Sequence, residues 1–182
     1  GSDGVPNRFV EHIVLSGVAL AIVIVVALPI ALWLGHVKKG GFVAVNVTNV
    51  GRAVPTFAVL TLLALTALGI SNLTVVLALV LFGIPPVLTN AYVGIREVEP
   101  GTVEAARGMG MTGLQQLLRV ELPLAVPLVL NGIRLAAVQI VATTTIASLV
   151  SGPGLGRIIQ EGFATQDKPE LESGALLVVV LA

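Results

Sequence analysis

Glu104-Ala105-Ala106-Arg107-Gly108-Met109-Gly110-Met111-Thr112-Gly113, continuing as Leu114-Gln115-Gln116-Leu117-Leu118-Arg119-Val120-Glu121-Leu122-Pro123, lies in the longest polar interruption of a very hydrophobic chain. Three residues separate Ala106 from Gly110, and nine separate Gly110 from Val120. Just upstream, Pro100 follows Glu99. A proline in the first turn removes an orphan amide, and an acidic neighbour suits the positive end of the helix dipole, so a short helix is expected from Pro100 through Arg107. Gly108 and Gly110 should end it. Thr112 with Gln115 three residues on is a capping-box pattern that opens a second helix, and Leu114, Leu117 and Leu118 are expected on one face of it. Pro123 is expected to turn the chain back toward its apolar neighbours.

Those neighbours are long. Hydrophobic residues make up 55% of the 182 residues and charged residues 11%, with a mean hydropathy of +1.01, about half the charge density of an ordinary soluble domain. Ile13 to Leu34 carries no charge over about 22 residues, roughly 33 Å as a helix, against a hydrocarbon core of about 30 Å. It is too long for the apolar region of a cleaved signal peptide. Val54 to Ile70 and Leu73 to Ile95 read as an antiparallel pair joined at Ser71-Asn72, and Leu128 to Val150 as a fourth span. A fifth begins at Ala175 and is cut off at Ala182, which together with the missing initiator Met reads as a portion of a longer chain. The fold class expected is an all-α membrane protein with about five transmembrane helices, a single domain over residues 1–182.

The formal net charge is zero, so no global field points to nucleic acid. Cysteines are absent from the sequence, which excludes disulfides and thiolate chemistry. Lys38, Lys39 and Arg52 fall between the first and second spans, and Arg96, Arg107 and Arg119 between the third and fourth. Arg8, Arg157 and Lys168 fall on the other side. The positive-inside rule then places residues 96–123 in the cytoplasm and the amino terminus outside.

The Glu104 to Pro123 pattern resembles the cytoplasmic coupling loop of binding-protein-dependent ABC importer permeases. Asn46 through Pro55-Thr56-Phe57, Gly83-Ile84-Pro85-Pro86 leading to Asn90-Ala91-Tyr92, Glu121-Leu122-Pro123-Leu124-Ala125, Gly132-Ile133-Arg134 and Gly154-Leu155-Gly156 look like the osmoprotectant branch of that family. Arg52-Ala53-Val54 departs from the Gln-Thr-Ile-like run usual there. The resemblance implies a methionine-permease-like fold and import of glycine betaine, choline, carnitine or proline-type solutes. It implies a second permease, identical or homologous, a cytoplasmic ABC ATPase dimer that holds the ATP and Mg, and an extracytoplasmic binding protein. It assigns ATPase coupling to Glu104, Ala105, Ala106, Gly110, Leu122 and Pro123.

Candidate path or gate residues are Pro55, Thr56, Pro86, Asn90, Gln139, Thr143 and Thr144. Threonine hydroxyls also bond back to their own helix or join helices, so the path role of the threonines stays open. Pro29, Pro55, Pro85 and Pro86 are expected to bend their helices. Arg134, counted from Leu128, lies about 9 Å into its span and is expected to snorkel to the inner interface. His12 and His36 flank the first span as interfacial side chains, without a metal spacing. Gly152-Pro153-Gly154-Leu155-Gly156 lacks the Gly-Lys-Ser/Thr ending of a phosphate loop and reads as a turn. Trp33 and Tyr92 are the sole Trp and Tyr, too few for an aromatic cation cage, which leaves solute selection to the binding protein. Two other classes remain as alternatives. An ion-coupled transporter requires acidic residues within its spans, and the four complete ones hold none; a bare membrane anchor would need no midspan polar residues. Import of another small solute, such as an amino acid, is a third alternative.

Overall fold

The computed structural model describes residues 4–39, 41, 46, 55–151 and 154–181. Among these the helices are α1 (Val5–His36), α2 (Thr56–Ala64), α3 (Asn72–Arg96), α4 (Pro100–Gly108), α5 (Gly113–Gln116), α6 (Leu122–Ser151), α7 (Gly156–Thr165) and α8 (Lys168–Leu181). A π-turn over Leu117–Glu121 joins α5 to α6. Three segments, Val5–His36, Asn72–Arg96 and Gly113–Ser148, are long and apolar enough to cross a membrane.

Two expectations change at helix ends. The second span was expected to run from Val54, which lies outside the described residues together with Arg52 and Ala53, to Ile70. Its described helix stops at Ala64, because the Thr66 hydroxyl donates to Leu63 O at 2.6 Å and Gly69 takes a left-handed φ of +59°. Ser71, expected in the turn, instead caps α3 by accepting from Thr74 N at 3.3 Å. The fourth span begins well before Leu128. Pro123 does not turn the chain, because Leu122 N donates to Leu117 O, a five-residue step, and the widened turn accommodates a residue without an amide proton.

Pro29, Pro85 and Pro86 lie inside helices that continue past them. Pro55 stands at the N-cap of α2 with φ −65° and ψ 122°, so it starts a helix rather than bending one.

The chain divides into two compact units, Gly1–Ile22, Ala53–Gly83 and Ala137–Ala182 in one, Val23–Arg52 and Ile84–Ala136 in the other. In a bilayer, close helix packing needs small residues, because lipid tails are as apolar as leucine. The second unit follows that rule: a Cβ at Gly35 would lie 2.8 Å from Ile95 Cβ, one at Gly94 3.2 Å from Ala125 Cβ, and one at Gly132 2.9 Å from Pro86 O.

In the first unit polar groups do the joining. His12, expected at an interface, is fully buried: its Nε2 donates to Val141 O at 3.0 Å and its Nδ1 accepts from Leu155 N at 3.3 Å. Glu11 accepts from Gly154 N at 3.2 Å, and Gly154 has φ +92°. The amides of Gly154 and Leu155 are therefore both spent on α1. Gly152 and Pro153 lie outside the described residues. The α7–α8 hairpin turns at Gln166 (φ +57°), with Asp167 Oδ1 accepting from Glu170 N at 3.2 Å. On α7, Arg157 donates to Glu161 at 2.8 Å and holds that exposed carboxyl below its ordinary pKa.

Candidate functional site: the Glu104–Pro123 hairpin

Pro100 occupies the first turn of α4, as its fixed φ and absent amide favour. The helix ends in a Schellman arrangement around Gly110: Gly110 N donates to Arg107 O at 2.9 Å and Met111 N to Ala106 O at 3.2 Å. Gly110 sits at φ +79°, a region that costs other residues about 1–2 kcal/mol. Two residues later the reciprocal capping box is complete, with Thr112 N donating to Gln115 Oε1 at 2.8 Å and Gln115 N to Thr112 Oγ1 at 3.4 Å. Buried Gln116 closes the turn by donating from Nε2 to Met111 O at 2.8 Å. These side-chain and backbone bonds fix the conformation of the turn between α4 and α5.

Burial sorts the hairpin into two faces. Val103, Ala106, Gln116, Leu117 and Glu121 are buried. Glu104, Ala105, Arg107 and Pro123 are exposed, and Leu122 is half-buried. Met109 (72% exposed), Leu114 (65%) and Leu118 (51%) join them outside. Ala106, assigned to coupling by the resemblance, is buried within the hairpin. One expectation is corrected here: Leu117 turns inward, away from Leu114 and Leu118. The π-turn that begins at Leu117 departs from the α-helical register assumed for those three leucines.

Sequence reasoning missed what holds the hairpin to α1. His36 Nδ1 donates to Glu121 Oε2 at 2.6 Å, and Glu121 is only 3% exposed. No spacing rule relates residues 85 positions apart. The sole sequence signal was a carboxylate beside an apolar run, which requires a partner once buried. Beside the pair is a cleft of about 460 Å³ lined by His36, Lys38, Val103, Arg107 and Glu121 among others.

The candidate path residues fall in separate places. Pro86 and Asn90 lie on α3 in the second unit, where Asn90 Nδ2 donates to Pro86 O at 2.8 Å and Asn90 Oδ1 accepts from Asn131 Nδ2 at 3.1 Å. Pro55 and Thr56 begin α2. Gln139 donates to Phe82 O at 3.2 Å. Thr143 and Thr144 are buried in the first unit, and Thr144 donates to Ile140 O at 2.8 Å with Ser16 Oγ 3.0 Å from its hydroxyl. Thr144 thus both bonds back to its own helix and meets α1. Tyr92 is buried and receives a hydrogen bond from Arg96, whose guanidinium lies 5.8 Å from the ring centroid. A ring already engaged by a side-chain cation has that face taken.

Comparison with known proteins agrees with this architecture. The chain is similar to the glycine betaine/carnitine/choline transport system permease protein OpuCB of Bacillus subtilis, 33% identical over 94% of this chain and 79% of that one. It is 34% identical to the choline transport system permease protein OpuBB of the same organism, over 94% and 79%. The osmoprotectant import permease protein OsmY of Salmonella typhimurium is 34% identical over 94% and 73%. Among solved structures, inward-facing conformations of the MetNI methionine ABC transporter match with a TM-score of 0.79 at 22% identity, over 94% of this chain and 86% of that one, which speaks to the fold alone. A second crystal form matches with a TM-score of 0.82 over 97% and 88%. Residues 24–182 match the model of the binding-protein-dependent transport system inner membrane component. With that match covering most of its length, and with apolar helices of spanning length on either side of the hairpin, this chain belongs to that family of multi-pass inner-membrane transport proteins.

Proposed function

We propose that this chain is the pore-forming permease subunit of an ATP-driven importer for glycine betaine, choline, carnitine or related osmoprotectants, and that the Glu104–Pro123 hairpin is its contact with a cytoplasmic ATPase. The observation that carries the coupling role is the hairpin's division of labour. Its turn is fixed by the Gly110 and Thr112 bonds, while Glu104, Ala105, Met109, Leu114 and Leu118 are exposed. Exposed apolar side chains mixed with charge, on a rigid support, suit a protein partner. The solute class is supported by the relatives named above, three of which carry osmoprotectants in their names.

In this reading two permeases, identical or homologous, enclose the path. Two ATPases, which hold the ATP and Mg, close on binding ATP and push the hairpins together, turning the pore outward; hydrolysis lets it reopen inward. The permease itself makes and breaks no covalent bond. Gly110 permits the turn, Glu104 and Ala105 meet the ATPase surface, and Ala106 supports them from within. Leu122 and Pro123 follow the π-turn, where hairpin movement passes into α6. The positive charges at Lys38, Lys39, Arg96, Arg107 and Arg119 support a cytoplasmic hairpin and an external amino terminus. Solute selection belongs to the extracytoplasmic binding protein. Purification from mild detergent, with every retained subunit identified, tests the assembly: an ATPase is expected, and a stable complex lacking any ATPase contradicts the proposal.

A further inference from the structure

Arg134 lies on α6, 15 residues beyond Arg119 and so about 22 Å along the helix from the preceding arginine in the sequence. The exposed residues between them include Leu124, Val126, Pro127, Leu128, Leu130 and Asn131, apolar but for the asparagine. Snorkelling from Arg134 back to the level of Arg119 is therefore beyond one side chain, and the shorter depth reckoned from Leu128 does not apply to a helix that starts earlier.

Its direction is equally informative. At 100° per residue, the buried line of α6 in this unit, Ala125, Val129, Gly132 and Ala136, occupies one side of the helix, and Arg134 projects from the opposite side. Pro127, Asn131 and Val138 share that exposed side. Arg134 has no hydrogen bond or ion pair among the described residues. One turn back on the exposed side, Asn131 donates to Asn90 of α3, so Arg134 has a second polar residue near it on an otherwise apolar surface. A guanidinium at such a position does not face lipid, because the cost of a charge in hydrocarbon directs it to a protein partner or a water-filled cavity.

We propose that Arg134, with Asn131 one turn back, lines the translocation path and receives the carboxylate of a zwitterionic solute in transit. This rests on the osmoprotectant reading above. A guanidinium offers paired N–H donors in the plane a carboxylate requires, and the Asn131 amide extends the polar surface without adding a second charge. The contact would act on the anionic end of the solute and leave its quaternary ammonium in water, which fits a chain poor in aromatic residues. A solute without a carboxylate, such as choline, would pass without it.

The test uses the complete transporter with its binding protein, reconstituted in liposomes, and two probes, glycine betaine and choline. Arg134→Gln is expected to lower glycine betaine uptake roughly tenfold or more, the scale of one charge-assisted hydrogen bond, while choline uptake stays within about twofold. Arg134→Lys should restore part of the loss. Equal loss of both solutes indicates a structural role and overturns the proposal; so does unchanged glycine betaine uptake, or a wild-type complex that carries choline alone. In the chain's cysteine-free background, Arg134→Cys should react with the anionic, membrane-impermeant reagent 2-sulfonatoethyl methanethiosulfonate, and glycine betaine should slow the reaction. Val25→Cys, on an exposed apolar face of α1, should not react. If the wild-type complex carries neither solute, the osmoprotectant reading falls, while this labelling still decides whether Arg134 lines a water-filled path. Absence of labelling in every nucleotide state overturns that placement.

Discussion

Replacing Gly110 isolates the hairpin's rigidity from every other property of the chain. A Cβ built at Gly110 meets no atom within 4 Å, so a side chain there has space, and the whole penalty comes from the backbone φ of +79°. Asparagine tolerates that region best, alanine should cost about 1 kcal/mol, and valine roughly 2–3 kcal/mol. At 1.4 kcal/mol per factor of ten, valine would shift the turn away from its native form by roughly 30- to 150-fold. The strain falls in a turn outside the apolar spans, so insertion and subunit assembly should survive. The assay is the full complex in liposomes, measuring solute uptake and solute-stimulated ATP hydrolysis together. Both should fall in the order Gly, Asn, Ala, Val. A well-expressed Gly110→Val variant with wild-type uptake would refute the reasoning, as would losses that follow side-chain volume rather than tolerance of a left-handed φ.

Three further outcomes are expected. In intact cells, Lys39→Cys and Arg107→Cys should resist a membrane-impermeant thiol reagent and Gly4→Cys and Gln166→Cys should label; external labelling of Arg107→Cys would invert the topology. His36→Ala leaves the buried Glu121 carboxylate without its partner and should destabilise the purified complex by about 1–3 kcal/mol, with partial recovery in the His36→Ala/Glu121→Leu double variant. An unchanged denaturation midpoint for His36→Ala would show that the pair holds nothing. The permease and ATPase complex without its binding protein should show no saturable micromolar binding of glycine betaine or choline, and such binding, lost in Trp33→Ala or Tyr92→Ala, would place a recognition site in this chain.

The hairpin was legible in the sequence because its determinants are local. Pro100, Gly110, Thr112 and Gln115 act within four residues of themselves, and their backbone chemistry needs no knowledge of the rest of the chain. The long helices were legible for a similar reason, since hydrocarbon thickness sets a length that α1 and α3 satisfy. Misreadings arose where remote groups decide the outcome. His12 looked interfacial by position, yet a turn 143 residues away supplies the amide that its Nδ1 accepts. Glu121 looked like part of a motif, and its partner is 85 residues back. Thr144 gave no sign in the sequence that Ser16 would occupy it. The start of α6 was misplaced because a π-turn absorbs Pro123, and a rule that proline ends helices assumes an uninterrupted α-helical ladder.

The central claim is that the Glu104–Pro123 hairpin meets an ATPase, and Ala105 is the position from which to measure it: exposed, beside Glu104, and within a chain that has no native cysteine. A short thiol-anchored photo-cross-linker on Ala105→Cys, activated in the functioning complex with and without ATP, should attach the permease to the ATPase and change in yield with nucleotide. A cross-link to the extracytoplasmic binding protein, or to no ATPase in any nucleotide state of an otherwise active complex, would contradict the account.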